Sequence, residues 1–143
     1  MRNKPYRKLL PMLAALALCV PGSVSHAASF LSVEPEITMA VRVHDLHHML
    51  SLLAAGANVN ERDEGMEQTP LMRAAQVGDA TISQVLLDHG AVVNAQDDEG
   101  KTALMFAAEK GYTPVVRLLL ERGASLDART AEGATALTLA REQ

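Results

Sequence analysis

Two stretches decide the fold: QTPLMRAAQVGDATISQVLLDHGAVVNA, residues 68–95, and KTALMFAAEKGYTPVVRLLLERGASLDA, residues 101–128. They align without a gap at an offset of 33, setting Leu71 on Leu104, Ala74 and Ala75 on Ala107 and Ala108, and Gly78 on Gly111. Further along, Leu86 and Leu87 fall on Leu119 and Leu120, and Gly90 on Gly123. A fixed period of this length marks a repeat architecture in which each unit is one supersecondary element.

The period extends in both directions. Downstream, ATALTLAREQ places Leu137 in register and supplies a truncated last unit. Upstream, LLAAGANVN precedes LLDHGAVVN by 34 residues and places Leu52, Leu53, Gly56 and Asn60 in the frame. The one extra residue falls within ERDEGMEQ, residues 61–68. The expected organisation is a divergent N-terminal cap repeat at 35–60, repeats at 61–94 and 95–127, and the partial repeat at 128–143.

Each unit has a physical reading. Thr69, Thr102 and Thr135 stand where a hydroxyl caps a first helix, and Pro70 suits the first helical position, where no amide donor is needed. The paired alanines let helices approach closely. Gly78 and Gly111 end that helix and permit a left-handed turn. Thr113 and Pro114 restart a helix carrying Val115, Leu118 and Leu119 at helical spacing. Gly90 and Gly123 close it, and NAQDDEGK is a polar turn into the next unit. One such unit cannot bury its own apolar face, so stacking makes the core, with Leu71, Leu86, Leu104 and Leu119 its expected centre.

This pattern of TPL, AA, LL and GA..N resembles the ankyrin repeat across residues 35–143. The resemblance implies an all-α solenoid of L-shaped helix-turn-helix units joined by short extended turns, with a concave helix face and projecting turn tips. The family's usual TPLH is altered here: Met72, Met105 and Thr138 replace the His, and Ala103 and Ala136 replace the Pro.

Ahead of the repeats, Arg2, Lys4, Arg7 and Lys8 are followed by the apolar run LLPMLAALALCV, residues 9–20. That order reads as a secretory signal, residues 1–27, with small residues at Ser25 and Ala27 before a cut at Ala27/Ala28 and a linker over 28–34. The run is shorter than the roughly 20 apolar residues needed to span a bilayer. The expected location is the periplasm, with no membrane association once the signal is cut; a secreted form, or one anchored by an uncleaved signal, is the alternative.

Of the 13 basic residues four lie in that leader, leaving nine against 17 acidic ones, a charge of −8 for the mature chain. An acidic chain lacks the basic face that neutralises phosphates, which argues against nucleic-acid binding. Cys19, the single cysteine, leaves with the leader, so neither a disulfide nor a thiol nucleophile remains. No nucleophile elbow or phosphate loop is present. The pairs Asp63-Glu64 and Asp97-Asp98 read as solvated turn residues rather than as general acid and base.

The cluster HDLHH, His44 to His48, is the one grouping with metal-ligand character. The frame puts His44 at the place of Gly78, in a turn, and His47 and His48 at the start of the second helix of the cap repeat. That removes the helical clamp geometry of His44 and His48. No cofactor is expected, and His44, His47 and His48 stay weak metal candidates in an alternative reading of the chain as a metal-binding protein.

The resemblance implies a protein-binding role without catalysis. The partner-facing residues would be Glu64, Met66, Glu67 and Gln68 on the first tip, Asp98, Glu99 and Lys101 on the second, and Ala131, Glu132 and Ala134 on the third. Met72, Gln76, Val77, Met105, Phe106, Glu109, Lys110 and Tyr112 would line the neighbouring helix face, with Met72, Met105, Phe106 and Tyr112 as apolar anchors, or with Phe106 packed between repeats instead. Acidic tips call for a partner with a basic patch. A monomer that acts as an inhibitor, immunity protein, enzyme-protecting factor or adaptor fits this pattern.

Overall fold

A computed structural model describes residues 35–142; the leader, the Ala27/Ala28 cut and the linker at 28–34 lie outside the described residues. Among the described residues there are seven helices and no strand. They are α1 (Glu36–Arg42), α2 (Leu46–Ala54), α3 (Pro70–Val77), α4 (Ala80–Asp88), α5 (Ala103–Lys110), α6 (Thr113–Glu121) and α7 (Ala136–Arg141). None of these is long and apolar enough to cross a membrane.

The helix starts are written in the sequence. Thr69, Thr102 and Thr135 each accept from the amide three residues on, that of Met72, Met105 and Thr138, at 3.4 Å. Asp45 and Asp79 do the same for the second helices, accepting from the amides of His48 and Ile82 at 2.9 Å. Such caps satisfy amide donors that the first turn leaves without a partner. Gly78 and Gly111 end α3 and α5 in the left-handed conformation, with φ of 83° and 71°. His44 takes the equivalent place after α1 at φ 59°, a conformation that costs a side-chain-bearing residue about 1–2 kcal/mol.

Within each unit the two helices pack as a pair, α1 on α2, α3 on α4 and α5 on α6; between units α1, α3, α5 and α7 stack in a row and α4 lies against α6. The row of first helices buries Leu71, Ala74, Ala75, Leu104 and Ala107, and the second helices add Ile82, Leu86, Val115 and Leu119. Each fully buried leucine contributes roughly 1.5–3 kcal/mol, and the four leucines expected at the centre are all at most 2% exposed. Leu137 shares their register but is 59% exposed, because no described second helix covers α7.

At two of the three places where the family's TPLH histidine would stand, local bonds replace it. The Met72 sulfur accepts from the Thr69 amide at 3.4 Å, and the Thr138 hydroxyl accepts from the Thr135 amide at 2.7 Å. Bonds between repeats come from elsewhere. Asn60 and Asn94 reach the next repeat's loop, bonding Gly90 O and Val92 N in one case and Gly123 O and Ser125 N in the other. Arg62 and Gln96 donate to the carbonyls of Gln96 and Arg129, each one repeat further on. Two side-chain series, each repeated at the sequence period, tie the units together.

Candidate functional site

Three turn tips project between the repeats. Each is closed by a backbone bond, from Asp63 N to Gln68 O, Asp97 N to Lys101 O and Thr130 N to Ala134 O, at 2.9 to 3.0 Å. The first tip holds one residue more than the others, as the register of ERDEGMEQ requires. Glu67, Gly100 and Gly133 occupy one position, with φ of 55°, 78° and 85°. Neighbouring tips are joined by Asp98 N to Met66 O at 3.2 Å and Ala131 N to Glu99 O at 2.8 Å. The tips therefore form a connected edge rather than independent loops.

Asp63 and Asp97 correct the sequence reading, which made them solvated. They are 4% and 8% exposed and hold the tips from inside. Asp63 Oδ1 accepts from the amides of Met66 and Gln68, and Asp97 Oδ1 from those of Glu99 and Lys101. Thr130 serves the third tip through the Ala134 amide at 3.1 Å. Asp63 Oδ2 also meets Arg73 at 2.9 Å. Burial works to raise the Asp63 pKa, but the Gln68 amide, Arg73 and the Met66 amide together hold it below the ordinary carboxylate value.

The exposed residues of this edge are Glu64, Met66, Asp98, Glu99, Ala131 and Glu132, with Glu67, Lys101 and Ala134 half-buried. Met66 is 52% exposed and stands among carboxylates. Lys101 is occupied within the chain: its Nζ lies 3.5 Å from Glu99 and 3.7 Å from Glu109, and 5.6 Å from the Phe106 ring centroid. Among the described residues Glu64, Asp98 and Glu132 make no ion pair, so the edge presents net negative charge. Its link to the first-helix face runs through Lys101 to Glu109 and through Gln68 to Gln76 at 2.9 Å.

Four expected contact residues do not reach the surface. Met72 and Met105 are 1% exposed, Gln68 2% and Phe106 8%. The methionines stand at the third helical position, aimed into the stack of first helices. Gln68 is drawn inward by Asp97 and Gln76, and Phe106 packs with the core. Tyr112, expected as an anchor, is half-buried over Gly78, where a Cβ would stand 2.8 Å from its ring. The helix face that remains is Gln76, Val77, Glu109 and Lys110. The sequence reading missed Val43, which is 63% exposed; the register that pairs Val77 with Lys110 also pairs Val43 with Val77 and would have found it.

The histidine cluster does not converge. His44 bonds Asp79 of the next repeat at 2.9 Å, while His47 and His48 lie exposed in the first turn of α2. Among the described residues no three His, Cys, Asp or Glu side chains are grouped to hold a metal ion.

Against known proteins, the model of ankyrin repeats in three copies matches residues 37–130. The chain belongs to the ankyrin-repeat family. A putative ankyrin repeat-containing protein of Treponema pallidum (strain Nichols) is 34% identical over 68 residues, 48% of this chain and 23% of that protein. The ARF GTPase-activating protein Git of Drosophila melanogaster is 39% identical over 67 residues, 47% of this chain and 9% of that protein. The matched segments thus span less than a quarter of either relative. Among solved structures, the ankyrin repeat domain of Bcl-3, described as a unique member of the IkappaB protein family, superposes with a TM-score of 0.75 at 31% identity, over 88% of this chain and 55% of that one. Ankyrin repeats are protein–protein interaction modules, and the tip edge with its adjoining helix face is the candidate surface for that role in this chain.

Proposed function

We propose that this ankyrin-repeat chain is an exported binding module that holds one protein partner against its tip edge and first-helix face and catalyses nothing itself. The observation that carries the reading is the run of unpaired carboxylates, Glu64, Asp98 and Glu132, on three tips that backbone bonds fix relative to one another. A fixed row of like charge selects a partner with a complementary basic patch and speeds its approach. Met66, set among those charges, is the apolar contact, and Val77 and Val43 extend it along the helix face.

The leader at 1–27 supports periplasmic location, and the mature chain acts as a monomer. Inhibition of an enzyme or toxin, immunity, protection of an enzyme and an adaptor role all use the same surface and differ only in the partner. Affinity capture with residues 28–143, repeated with Asp98→Lys, Glu99→Lys and Glu132→Lys together, tests the surface. A partner retained by the native chain at low salt, released as salt rises and lost from the triple variant supports it. Equal retention by both chains overturns it. N-terminal sequencing of the protein made in a cell tests the leader, with Ala28 as the expected first residue.

A further inference from the structure

We propose that His44 and Asp79 form a proton-operated latch that sets how firmly the N-terminal repeat docks on the second. His44 Nδ1 lies 2.9 Å from Asp79 Oδ2, and the two belong to different repeats. The proposal rests on the fold and is independent of the partner-binding reading.

The register makes this contact unusual within the chain. In the turn that follows each first helix, the register sets His44 with Asp45 on Gly78 with Asp79 and on Gly111 with Tyr112. At each junction the turn residue of one repeat meets the following position of the next. Between the second and third repeats that contact is Gly78 beneath the Tyr112 ring, where a Cβ would come within 2.8 Å. Between the first and second it is His44 on Asp79. The first junction uses a titratable pair where the second uses a glycine under an aromatic ring.

His44 also keeps an unfavourable backbone, φ 59°, at a position that its two siblings give to glycine. A glycine would relieve that strain but could not reach Asp79. Among the described residues the outer helices add no ion pair at this junction. Asp88 meets Arg122 at 2.7 Å between the second and third repeats, but the corresponding residues one repeat earlier are Ala54 and His89, and an alanine cannot pair.

The charged surroundings are simple. On the second repeat the partner is Asp79, which also caps α4 through the Ile82 amide, and the end of α3 offers the uncharged Val77 and Gly78. On its own repeat the neighbours are Arg42, closing α1, Asp45, whose carboxylate caps α2, and His47 and His48 in the first turn of α2. Burial works to raise the Asp79 pKa, yet the Ile82 amide, His44 and the Thr81 amide hold it below its ordinary value. Asp79 therefore stays charged through the range in which imidazoles exchange their proton. A protonated ring at this contact sets a cation on a carboxylate, whereas a neutral ring offers it a hydrogen bond alone.

Amide hydrogen exchange read residue by residue at pH 5.5 and pH 8, corrected for intrinsic rates, tests the latch. The protection of α1 and α2, followed at Val41 and Met49, is expected to rise roughly two- to fivefold at pH 5.5 relative to that of α5 and α6, the range of an exposed ion pair. His44→Gln and Asp79→Asn, the second of which keeps a capping side chain, are expected to abolish that rise. His44→Gly removes the latch while relieving the backbone, so its first repeat stays docked and insensitive to pH. A native chain with no rise, or a rise that persists in His44→Gln or His44→Gly, overturns the proposal.

Discussion

Asn60 joins the first repeat to the second by gripping the loop before Val92: its Oδ1 accepts from the Val92 amide at 2.8 Å and its Nδ2 donates to Gly90 O at 3.1 Å. Asn94 repeats the grip one unit later, on Ser125 and Gly123. Because stability in a stacked chain depends on interfaces between neighbours, a side chain bonding across the interface twice weighs more than one on a free surface. Asn60→Ala and Asn94→Ala are each expected to lower unfolding stability by about 1–2 kcal/mol, two modest hydrogen bonds apiece. Urea denaturation followed by circular dichroism measures this; a loss below a few tenths in both variants would show the ladder to be idle.

Glu67 and Gly100 hold the same left-handed place in successive tips and should respond in opposite directions. Glu67→Gly is expected to raise stability by about 1 kcal/mol, since glycine takes φ 55° without steric penalty. Gly100→Ala adds a Cβ at φ 78° that would stand 3.1 Å from the Ala131 amide and 3.2 Å from Arg129 O. A loss of about 2 kcal/mol follows from backbone strain together with crowding. Melting temperatures of the two variants should lie on opposite sides of the native value.

Acid should loosen the first tip through Asp63. Its folded pKa lies below the ordinary value of 3.8, so its contribution is present above the unfolded pKa and is lost as pH falls through the folded one. Stability is expected to decline as pH falls below about 4. Asp63→Asn should be less stable than the native chain at pH 7 by about 1–2 kcal/mol, having lost charge-assisted bonds to Arg73 and two amides, and should decline less steeply in acid. Asp79, also depressed, leaves a residual slope. Urea midpoints across this pH range are the measurement, and parallel curves for the two chains would contradict the assignment.

Leu104 and Leu137 share a register yet differ in burial, at 2% and 59% exposure. Leu104→Ala is expected to cost about 2–5 kcal/mol, the range for a leucine removed from a packed core. Leu137→Ala should cost less than about 1 kcal/mol, as expected of a surface site. Comparable losses at both positions, measured by urea denaturation, would mean that α7 is covered in solution.

The helix order, the caps, the glycine turns and the leucine core follow from sequence because they depend on local rules repeated at a fixed spacing. Thr69, Thr102 and Thr135 cap wherever the period puts them, and His44 falls in a turn because Gly78 does. The extra residue of the first tip was likewise legible as a break in register.

The outward face was not legible in the same way. Helical spacing offers Met72 and Met105 to a partner because it tells which residues share a side, whereas their burial depends on how closely the next first helix approaches. Asp63 and Asp97 looked solvated because a charged residue in a polar turn usually is. Their carboxylates turn inward to accept from the tip amides, those of Met66 and Gln68 in one case and of Glu99 and Lys101 in the other. The sequence by itself determined the repeat, its elements and the family. Only the tertiary stacking decided which side chains are left for a partner and which bonds, Asn60 to Val92 and His44 to Asp79 among them, hold one repeat to the next, since such contacts join residues some thirty positions apart.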